Sequence, residues 1–375
     1  MCEGQPTGVS SVTIQSSCSP KGTRSTQYSL IDTDMHSVVP SIGVLFPYLT
    51  DFWKEYITQS AFKGPTEDPY PKNAPTSIRP DARRADGIAP GSKLAVVQEQ
   101  SLDPSGAEYA ILNCAYGLES VHNPDATLAL AQAVNDWHRA EWLEKDARLR
   151  ASILVPSHHP EMAAREIDRV GDHPGFVQVY LPVHSREPYG NRRFHPLYEA
   201  AVRHDLAIGI HYGGAPGTPP SAAGWPSTYV EEYVAMAQIF QSQLVSMIVE
   251  GVFDRFPTLR VAMIEGGWTW LPSLMWRFDK EWKGLRREVP WVRRPPSDYI
   301  REHVRFTLQP HDPPPTAAQF LQILDQIGSD DLLMFSTDYP HWHYDTPAES
   351  LPPADLPETT MRKIMSENAR AFYRL

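Results

Sequence analysis

The chain has 375 residues, which is enough for one large barrel or two medium-sized domains. Its formal net charge is −11, and lysine and arginine form no run, so we expect neither a nucleic acid nor a membrane surface as a partner. No segment reaches the roughly 20 consecutive apolar residues of a membrane span, and the three cysteines show no CxxC spacing, so we expect a cytoplasmic protein.

Residues 1–27 are rich in Ser, Gly, Thr and Gln and predict a disordered N-terminal tail rather than a signal peptide. From residue 28 to residue 375, short apolar segments alternate with longer helical patterns, which is typical of an α/β fold with a parallel sheet. Strands are predicted over 29–34, 108–114, 150–156, 176–181, 207–211, 260–265, 304–308 and 332–336. Helices are predicted over 125–145, 161–170, 196–204, 229–252, 271–287, 317–327 and 358–373. This pattern favours a single (β/α)8 TIM-barrel domain over an open sheet.

The stretch between the first two predicted strands, about 37–98, breaks this alternation. It contains proline, glycine, aromatic and charged residues, and we interpret it as a long lid inserted after strand 1. Aromatic residues here and after later strands favour a bulky hydrophobic substrate over a sugar or a nucleotide. No glycine-rich phosphate-binding motif follows a strand, so a nucleotide cofactor is not predicted.

Polar residues follow several of the predicted strands, where a TIM barrel carries its site. Asp34 and His36 end strand 1, and side chains two residues apart in an extended segment point the same way. His211 ends strand 5, Glu265 ends strand 6, and Asp338 follows strand 8. Each alone is also typical of a turn or of a hydrogen-bonded structural residue. Their joint placement at equivalent strand ends predicts a metal site.

Two further histidines, His122 and His343, lie a few residues beyond strand 2 and strand 8, and they are our candidates for completing a second ion. Further candidates of the same kind are His158, His159 and His341. The alternative for every one of these histidines is a solvated loop residue. Glu265 and His343 are the candidate catalytic residues.

Four motifs resemble the amidohydrolase-2 family, which is related to aminocarboxymuconate-semialdehyde decarboxylase. They are Asp-Met-His at 34–36, HYGG at 211–214, EGGWTWLP at 265–272 and STDYPHW at 336–342. The resemblance extends from about residue 31 to ENARAFY at 367–373. It implies a (β/α)8 barrel of the amidohydrolase type, a divalent metal at the strand ends, and hydrolysis or non-oxidative decarboxylation as the reaction.

The ligand set departs from this family at two positions. The family usually has His where Asp34 stands, and it often has a catalytic His where Glu265 stands. Strand 4, 176–181, contains no lysine that could be carbamylated to bridge two metals, as in the dinuclear hydrolases. A set of three carboxylates and two imidazoles favours non-heme iron, with Glu265 as a bridge between two ions.

The carboxylate-rich set is similar to one branch of the family, the non-heme di-iron monooxygenase of platensimycin and platencin biosynthesis. We therefore predict a di-iron monooxygenase that hydroxylates a bulky hydrophobic, terpenoid-derived acid or its thioester in antibiotic biosynthesis, with dioxygen and an electron donor. One alternative is a mononuclear Zn or Mn hydrolase or non-oxidative decarboxylase with Glu265 as general base. Another is a non-catalytic barrel that binds a ligand. The long apolar helices predicted over 229–252 and 271–287 would also allow a homo-oligomer.

Overall fold

A computed structural model of the protein describes residues 28–62, 64–66, 78–214, 219, 223–312, 314–341 and 352–375. Eight strands form one sheet in chain order, and neighbouring strands pair in parallel. The strands are β1 Ile31–His36, β2 Tyr109–Asn113, β3 Leu149–Leu154, β4 Phe176–His184, β5 Ala207–Gly214, β6 Val261–Ile264, β7 Val304–Thr307 and β8 Leu333–Met334. The predicted (β/α)8 barrel is confirmed. Nearly every strand residue is buried, as expected when helices cover a parallel sheet.

Helices connect the strands on the outside of the barrel. They are α1 Asp51–Gln59, α2 Leu94–Val97, α3 Asp103–Ser105, α4 Pro124–His138, α5 Pro160–Val170, α6 His195–Arg203, α7 Tyr229–Val249, α8 Val252–Arg255, α9 Leu271–Leu285, α10 Pro296–His303, α11 Ala317–Ile327, α12 Glu358–Arg362 and α13 Asn368–Tyr373. π-helical turns extend α4 through Arg139–Leu143 and join α12 to α13 through Lys363–Glu367, so each forms one continuous helical segment. Within the described residues, no helix is long and apolar enough to span a bilayer.

The barrel closes where β1 meets β8 and the residues that follow it. The Thr33 N–H donates to the Phe335 carbonyl at 3.0 Å, and the His36 N–H donates to the Tyr339 carbonyl at 2.8 Å. β8 has only two residues, so these bonds extend beyond its end. The end of β1 and the segment after β8 therefore lie side by side.

The amino ends of the strands are closed by the last helix. A small apolar cluster inside this end of the barrel contains Ile31, Ile111, Val177, Ala207, Ala262, Ile264, Met334, Ala369, Phe372 and Tyr373. Phe372 and Tyr373 belong to α13, and their side chains pack against the strand residues of this cluster. The larger apolar core lies between the strands and the outer helices. The carboxyl ends of the strands are thus the end of the barrel at which polar side chains collect.

The described part of the segment between β1 and β2 contains a 3₁₀ helix at Ile42–Tyr48 and the helices α1, α2 and α3, with turns and loops between them. Two backbone bonds connect it to the carboxyl end of the barrel. The Val38 N–H donates to the Gly91 carbonyl at 2.8 Å, and the Arg79 N–H donates to the Pro340 carbonyl at 2.9 Å. Its function as a lid stays a prediction.

The side chain of Asn135 on α4 bonds to the end of β3. Its carboxamide accepts from the Leu154 N–H at 2.9 Å and donates to the Leu154 carbonyl at 2.9 Å and to Glu166 Oε1 at 2.7 Å.

Asn135→Leu has similar volume but leaves these buried groups without partners. We expect the free energy of unfolding in urea to fall by about 3 kcal/mol. The control Gln238→Leu changes an exposed position on α7 and should cost less than about 0.5 kcal/mol. Equal losses in the two variants would contradict this role for Asn135.

Candidate metal centre

Polar side chains from β1, β5 and the segments after β6 and β8 meet at the carboxyl end of the barrel. Two overlapping groups of side chains have ligand atoms within 4.8 Å of one another. The first is Asp34, His36, His211 and Glu265, and the second is His36, Glu265, Asp338 and His341. We call Asp34, His36, His211, Glu265 and Asp338 the cluster. All of its members are buried. The structure therefore brings together the residues predicted for the first ion.

His36 lies at the centre of the cluster. Its Nε2 atom is 3.0 Å from Glu265 Oε1, 3.0 Å from Asp338 Oδ1 and 3.9 Å from Asp34 Oδ1. Burial alone would lower the pKa of this imidazole, but the hydrogen bonds to Asp338 and Glu265, together with the charges of Asp34 and Asp338, outweigh burial and raise the pKa of His36 well above its usual value. The surrounding carboxylates thus favour a positive charge at this point.

His211 presents one defined nitrogen to the carboxylates. Its Nδ1–H donates to the Tyr212 carbonyl at 2.7 Å, so the Nε2 atom is left facing the cluster. Nε2 lies 3.3 Å from Asp34 Oδ1 and 3.2 Å from Glu265 Oε1. A backbone carbonyl that orients the ring in this way is the usual arrangement for a histidine that binds a metal.

The chemistry of the donors fits a divalent cation. Burial, followed by the charge of Asp338, raises the pKa of Glu265, because carboxylates crowded in a buried space repel one another. Asp34 Oδ2 is buried and has no hydrogen-bond partner, which is costly for a carboxylate oxygen unless a cation faces it. Imidazole and carboxylate together suit first-row divalent metals such as manganese, iron and zinc.

The backbone is strained at two members of the cluster. Glu265 and Asp338 have φ angles of 65° and 54°, a left-handed conformation that costs a non-glycine residue about 1–2 kcal/mol. The Glu265 N–H donates to Thr307 Oγ1 at 3.0 Å, and the Asp338 N–H donates to the Asp34 carbonyl at 3.0 Å. These bonds hold both residues in place. Strain of this kind is more common at functional positions than in ordinary packing.

Two further residues lie beside the cluster: His341, which was a secondary candidate for the second ion, and Asp32, which was not predicted at all. His341 Nδ1 lies 2.6 Å from Asp338 Oδ1. Asp32 accepts from the Thr337 N–H at 2.9 Å and from the Thr337 hydroxyl at 2.6 Å, and burial raises the pKa of Asp32 to about 7. Sequence signals existed for both, because His341 follows Asp338 by one turn and Asp32 shares the strand alternation of Asp34.

The structure does not bring the two predicted second-ion histidines into the cluster. His122 is exposed, and its Nδ1 atom lies 2.8 Å from an Arg186 nitrogen, so this imidazole faces a guanidinium rather than carboxylates. It belongs to neither of the potential metal-binding groups found among the described residues. His343 lies outside the residues that the structure describes.

Tyrosine rings lie beside and above the cluster. The Tyr180 ring is 5.2 Å from the His211 ring. Tyr233 on α7 lies 5.4 Å from Tyr212 and 5.5 Å from Tyr229, measured between ring centroids. Burial, followed by the charges of Glu265 and Asp338, raises the pKa of Tyr233 well above its usual value. The rings from β4, β5 and α7 therefore form an aromatic wall close to the carboxylates.

Known proteins with similar sequences are decarboxylases. A gamma-resorcylate decarboxylase of a Polaromonas species is 25% identical over 304 residues, which cover 76% of this chain and 89% of the relative. The gamma-resorcylate decarboxylase of Rhodococcus jostii is 25% identical over 297 residues, covering 74% of this chain and 87% of the relative.

Solved structures share the fold. A 5-carboxyvanillate decarboxylase of Novosphingobium aromaticivorans with bound manganese has a TM-score of 0.68 and 19% identity, covering 94% of this chain and 99% of that one. A 2,6-dihydroxybenzoate decarboxylase from Rhizobium has a TM-score of 0.66 and 20% identity, covering 93% of this chain and 99% of that one.

These relatives correct the predicted activity. The prediction of a di-iron monooxygenase, and with it of an oxidoreductase, is wrong, because the relatives that match most of the chain are decarboxylases. Solved decarboxylase structures of similar fold hold manganese, and nothing in these findings supports a pair of irons. The predicted dioxygen and electron donor are likewise without support.

The predicted family is confirmed. The family model described as amidohydrolase matches residues 31–375, which include all five members of the cluster and all eight strands. The chain therefore belongs to the amidohydrolase family that its strand-end motifs indicated.

Proposed function

We propose that the protein is a metal-dependent, non-oxidative decarboxylase of a small aromatic acid, with manganese as the ion. The observation that carries this proposal is the cluster itself, which gathers two imidazoles and three carboxylates in a buried space at the carboxyl end of the barrel. The similar gamma-resorcylate and 5-carboxyvanillate decarboxylases, the second with bound manganese, support both the reaction and the ion.

In the proposed site, Asp34, His36, His211 and Asp338 hold the ion. Their oxygen and nitrogen atoms converge on the space beside His36 Nε2. A bound divalent ion supplies positive charge that orients an anionic substrate and stabilises negative charge as it develops. The neighbouring His341, whose Nδ1 atom contacts Asp338 Oδ1 at 2.6 Å, orients that carboxylate.

Decarboxylation breaks the bond between the ring carbon and the carboxyl carbon. Carbon dioxide leaves, the electron pair stays on the ring carbon, and this carbon takes up one proton. We assign the transfer of that proton to Glu265. It is the cluster member that is not needed for a four-ligand set, and it stands where the family often has a catalytic histidine. Its Oε1 atom lies 3.0 Å from His36 and 3.2 Å from His211, so a proton on Glu265 is next to the ion site.

The aromatic wall supports an aromatic substrate. The Tyr180 ring lies 5.2 Å from the His211 ring, and the Tyr212 and Tyr233 rings lie 5.4 Å from each other, measured between ring centroids. Stacked or edge-to-face contact with a planar acid is favourable by about 0.5–1.5 kcal/mol for each ring pair.

Metal-dependent hydrolysis is a second candidate, favoured by one observation. A carboxylate at Glu265, where the family often has histidine, is also a suitable general base for a water molecule. Hydrolysis and decarboxylation differ in their products, because only decarboxylation releases carbon dioxide.

We expect one divalent ion per chain and strong stabilisation by manganese. At a manganese concentration 100 times the dissociation constant, the free energy of unfolding should rise by about 2.7 kcal/mol. His211→Ala should lose the ion and the stabilisation, as measured by elemental analysis and thermal unfolding with and without a chelator. His204→Ala is a matched control, because His204 also lies between two carboxylates, Asp168 and Asp172, but outside the cluster. Full metal content in His211→Ala would contradict the assignment.

We expect the manganese-loaded protein to release carbon dioxide from a hydroxylated benzoate, with 2,6-dihydroxybenzoate and 5-carboxyvanillate as the first substrates to test. Glu265→Gln should keep its manganese and lower turnover by about 10²–10⁴-fold, because the proton donor is lost. Asp338→Asn should lose both manganese and turnover.

The reaction should run equally well without oxygen. Ester or amide cleavage without carbon dioxide release would favour hydrolysis instead. Unchanged turnover in Glu265→Gln would show that another group supplies the proton.

A further inference from the structure

A chain of buried hydrogen bonds runs through the barrel from the last helix to Asp34. We propose that it positions Asp34 as a metal ligand, with Asn113 and Gln178 as the positioning residues. This inference rests on the proposed metal site and adds to it residues that lie outside the family motifs in the sequence. It also connects the site to Tyr373 on α13, near the opposite end of the barrel.

The hydrogen-bonded side chains come from four different strands and from α13. The Asn113 Nδ2 atom on β2 lies 2.8 Å from Asp34 Oδ1, and the Gln178 Nε2 atom on β4 lies 3.0 Å from Asn113 Oδ1. The Tyr373 hydroxyl lies 3.0 Å from Gln178 Oε1. Ser152 on β3 joins from the side, with its Oγ atom 2.5 Å from Asn113 Oδ1 and 2.8 Å from Gln178 Nε2. These five side chains are buried inside the barrel, so water does not compete for their bonds.

Asp34 determines the direction of every bond in the chain. An ionised carboxylate only accepts, so Asn113 must turn its NH₂ group towards Asp34. The Asn113 oxygen then faces Gln178, which must in turn present its own NH₂ group. The Gln178 oxygen is left to accept from the Tyr373 hydroxyl. All donors therefore point towards Asp34, and each bond polarises the next.

The two carboxylate oxygens of Asp34 differ in their hydrogen-bond partners. Oδ1 accepts from Asn113 at 2.8 Å, which fixes the rotation of the carboxylate. Oδ2 is buried and has no hydrogen-bond partner. The hydrogen-bonded chain thus holds the whole carboxylate in one orientation, in which Oδ1 lies 3.3 Å from His211 Nε2 in the cluster and Oδ2 keeps its capacity to face an ion.

The neighbouring strand leaves space for the Gln178 side chain. Gly209 on β5 faces Gln178, and a Cβ atom at this position would lie 2.8 Å from Gln178 Oε1 and 3.0 Å from Ile264. A side chain there would push Gln178 away from Asn113. At the other end, Tyr373 is fixed by packing with Phe372 in the apolar cluster below the strands.

The test measures metal binding rather than turnover. Cobalt(II) is titrated into the full-length apoprotein, and its visible spectrum reports both affinity and ligand geometry. Asn113→Leu has similar volume and removes the donor to Asp34, so we expect the affinity to fall by about 10–100-fold with an altered spectrum. Tyr373→Phe removes a hydroxyl that is three hydrogen bonds away from Asp34, and we expect a smaller loss in the same direction, about twofold.

Tyr198→Phe is the matched control. The Tyr198 hydroxyl is also buried and donates one hydrogen bond, to the Tyr189 carbonyl at 2.6 Å, but this bond has no connection to Asp34. Both tyrosine variants should lose similar stability, and only Tyr373→Phe should lose cobalt affinity. Wild-type affinity and spectrum in Asn113→Leu, or equal affinity losses in the two tyrosine variants, would overturn the proposal. Failure of the wild-type protein to bind any ion would instead overturn the proposed metal site.

Discussion

Crowding of negative charge inside the barrel is the constraint on which the rest of the site depends. Asp34, Glu265 and Asp338 bring three carboxylates into contact with the imidazole of His36 in a buried space. Buried like charges are unfavourable by several kilocalories per mole unless a positive charge offsets them. The raised pKa of His36 shows how strongly the surroundings favour a cation there. A divalent ion held by Asp34, His36, His211 and Asp338, as we propose, would meet the same requirement with more charge.

The strand order explains how residues from distant parts of the sequence meet so closely. Parallel strands in chain order place the carboxyl ends of β1, β5, β6 and β8 at one rim. This part of the site was predictable, because buried parallel strands appear in the sequence as short apolar runs and their last polar residues are easy to find. The positions of Asp34, His36, His211, Glu265 and Asp338 followed from that pattern alone.

Loop directions, two short helices, the reaction and the residues that contact Asp34 could not be predicted from the strand pattern. His122 lies close in sequence to a strand end, but the loop directs it to Arg186, and loop direction depends on contacts that no local pattern encodes. Helices α1 and α10 escaped prediction because they have only nine and eight residues. The predicted monooxygenase reaction was also wrong. A carboxylate-rich ligand set is compatible with several metals and reactions, so the excess of oxygen donors suggested iron, whereas a solved decarboxylase of similar fold holds manganese. Asn113 and Gln178 gave no signal either, because a polar residue inside a strand predicts nothing until its partners are known.

The meeting of β1 with the segment after β8 has a consequence for how the chain folds. His36 and Asp338, which contact each other at 3.0 Å, are 302 positions apart. Contacts of such long range form late, because the intervening chain must first lose most of its conformational freedom. The ion site is therefore complete only when the first and last strands have joined. A bound ion would then act as a crosslink between two distant parts of the polypeptide. Loss of the ion would favour separation of β1 from the segment after β8.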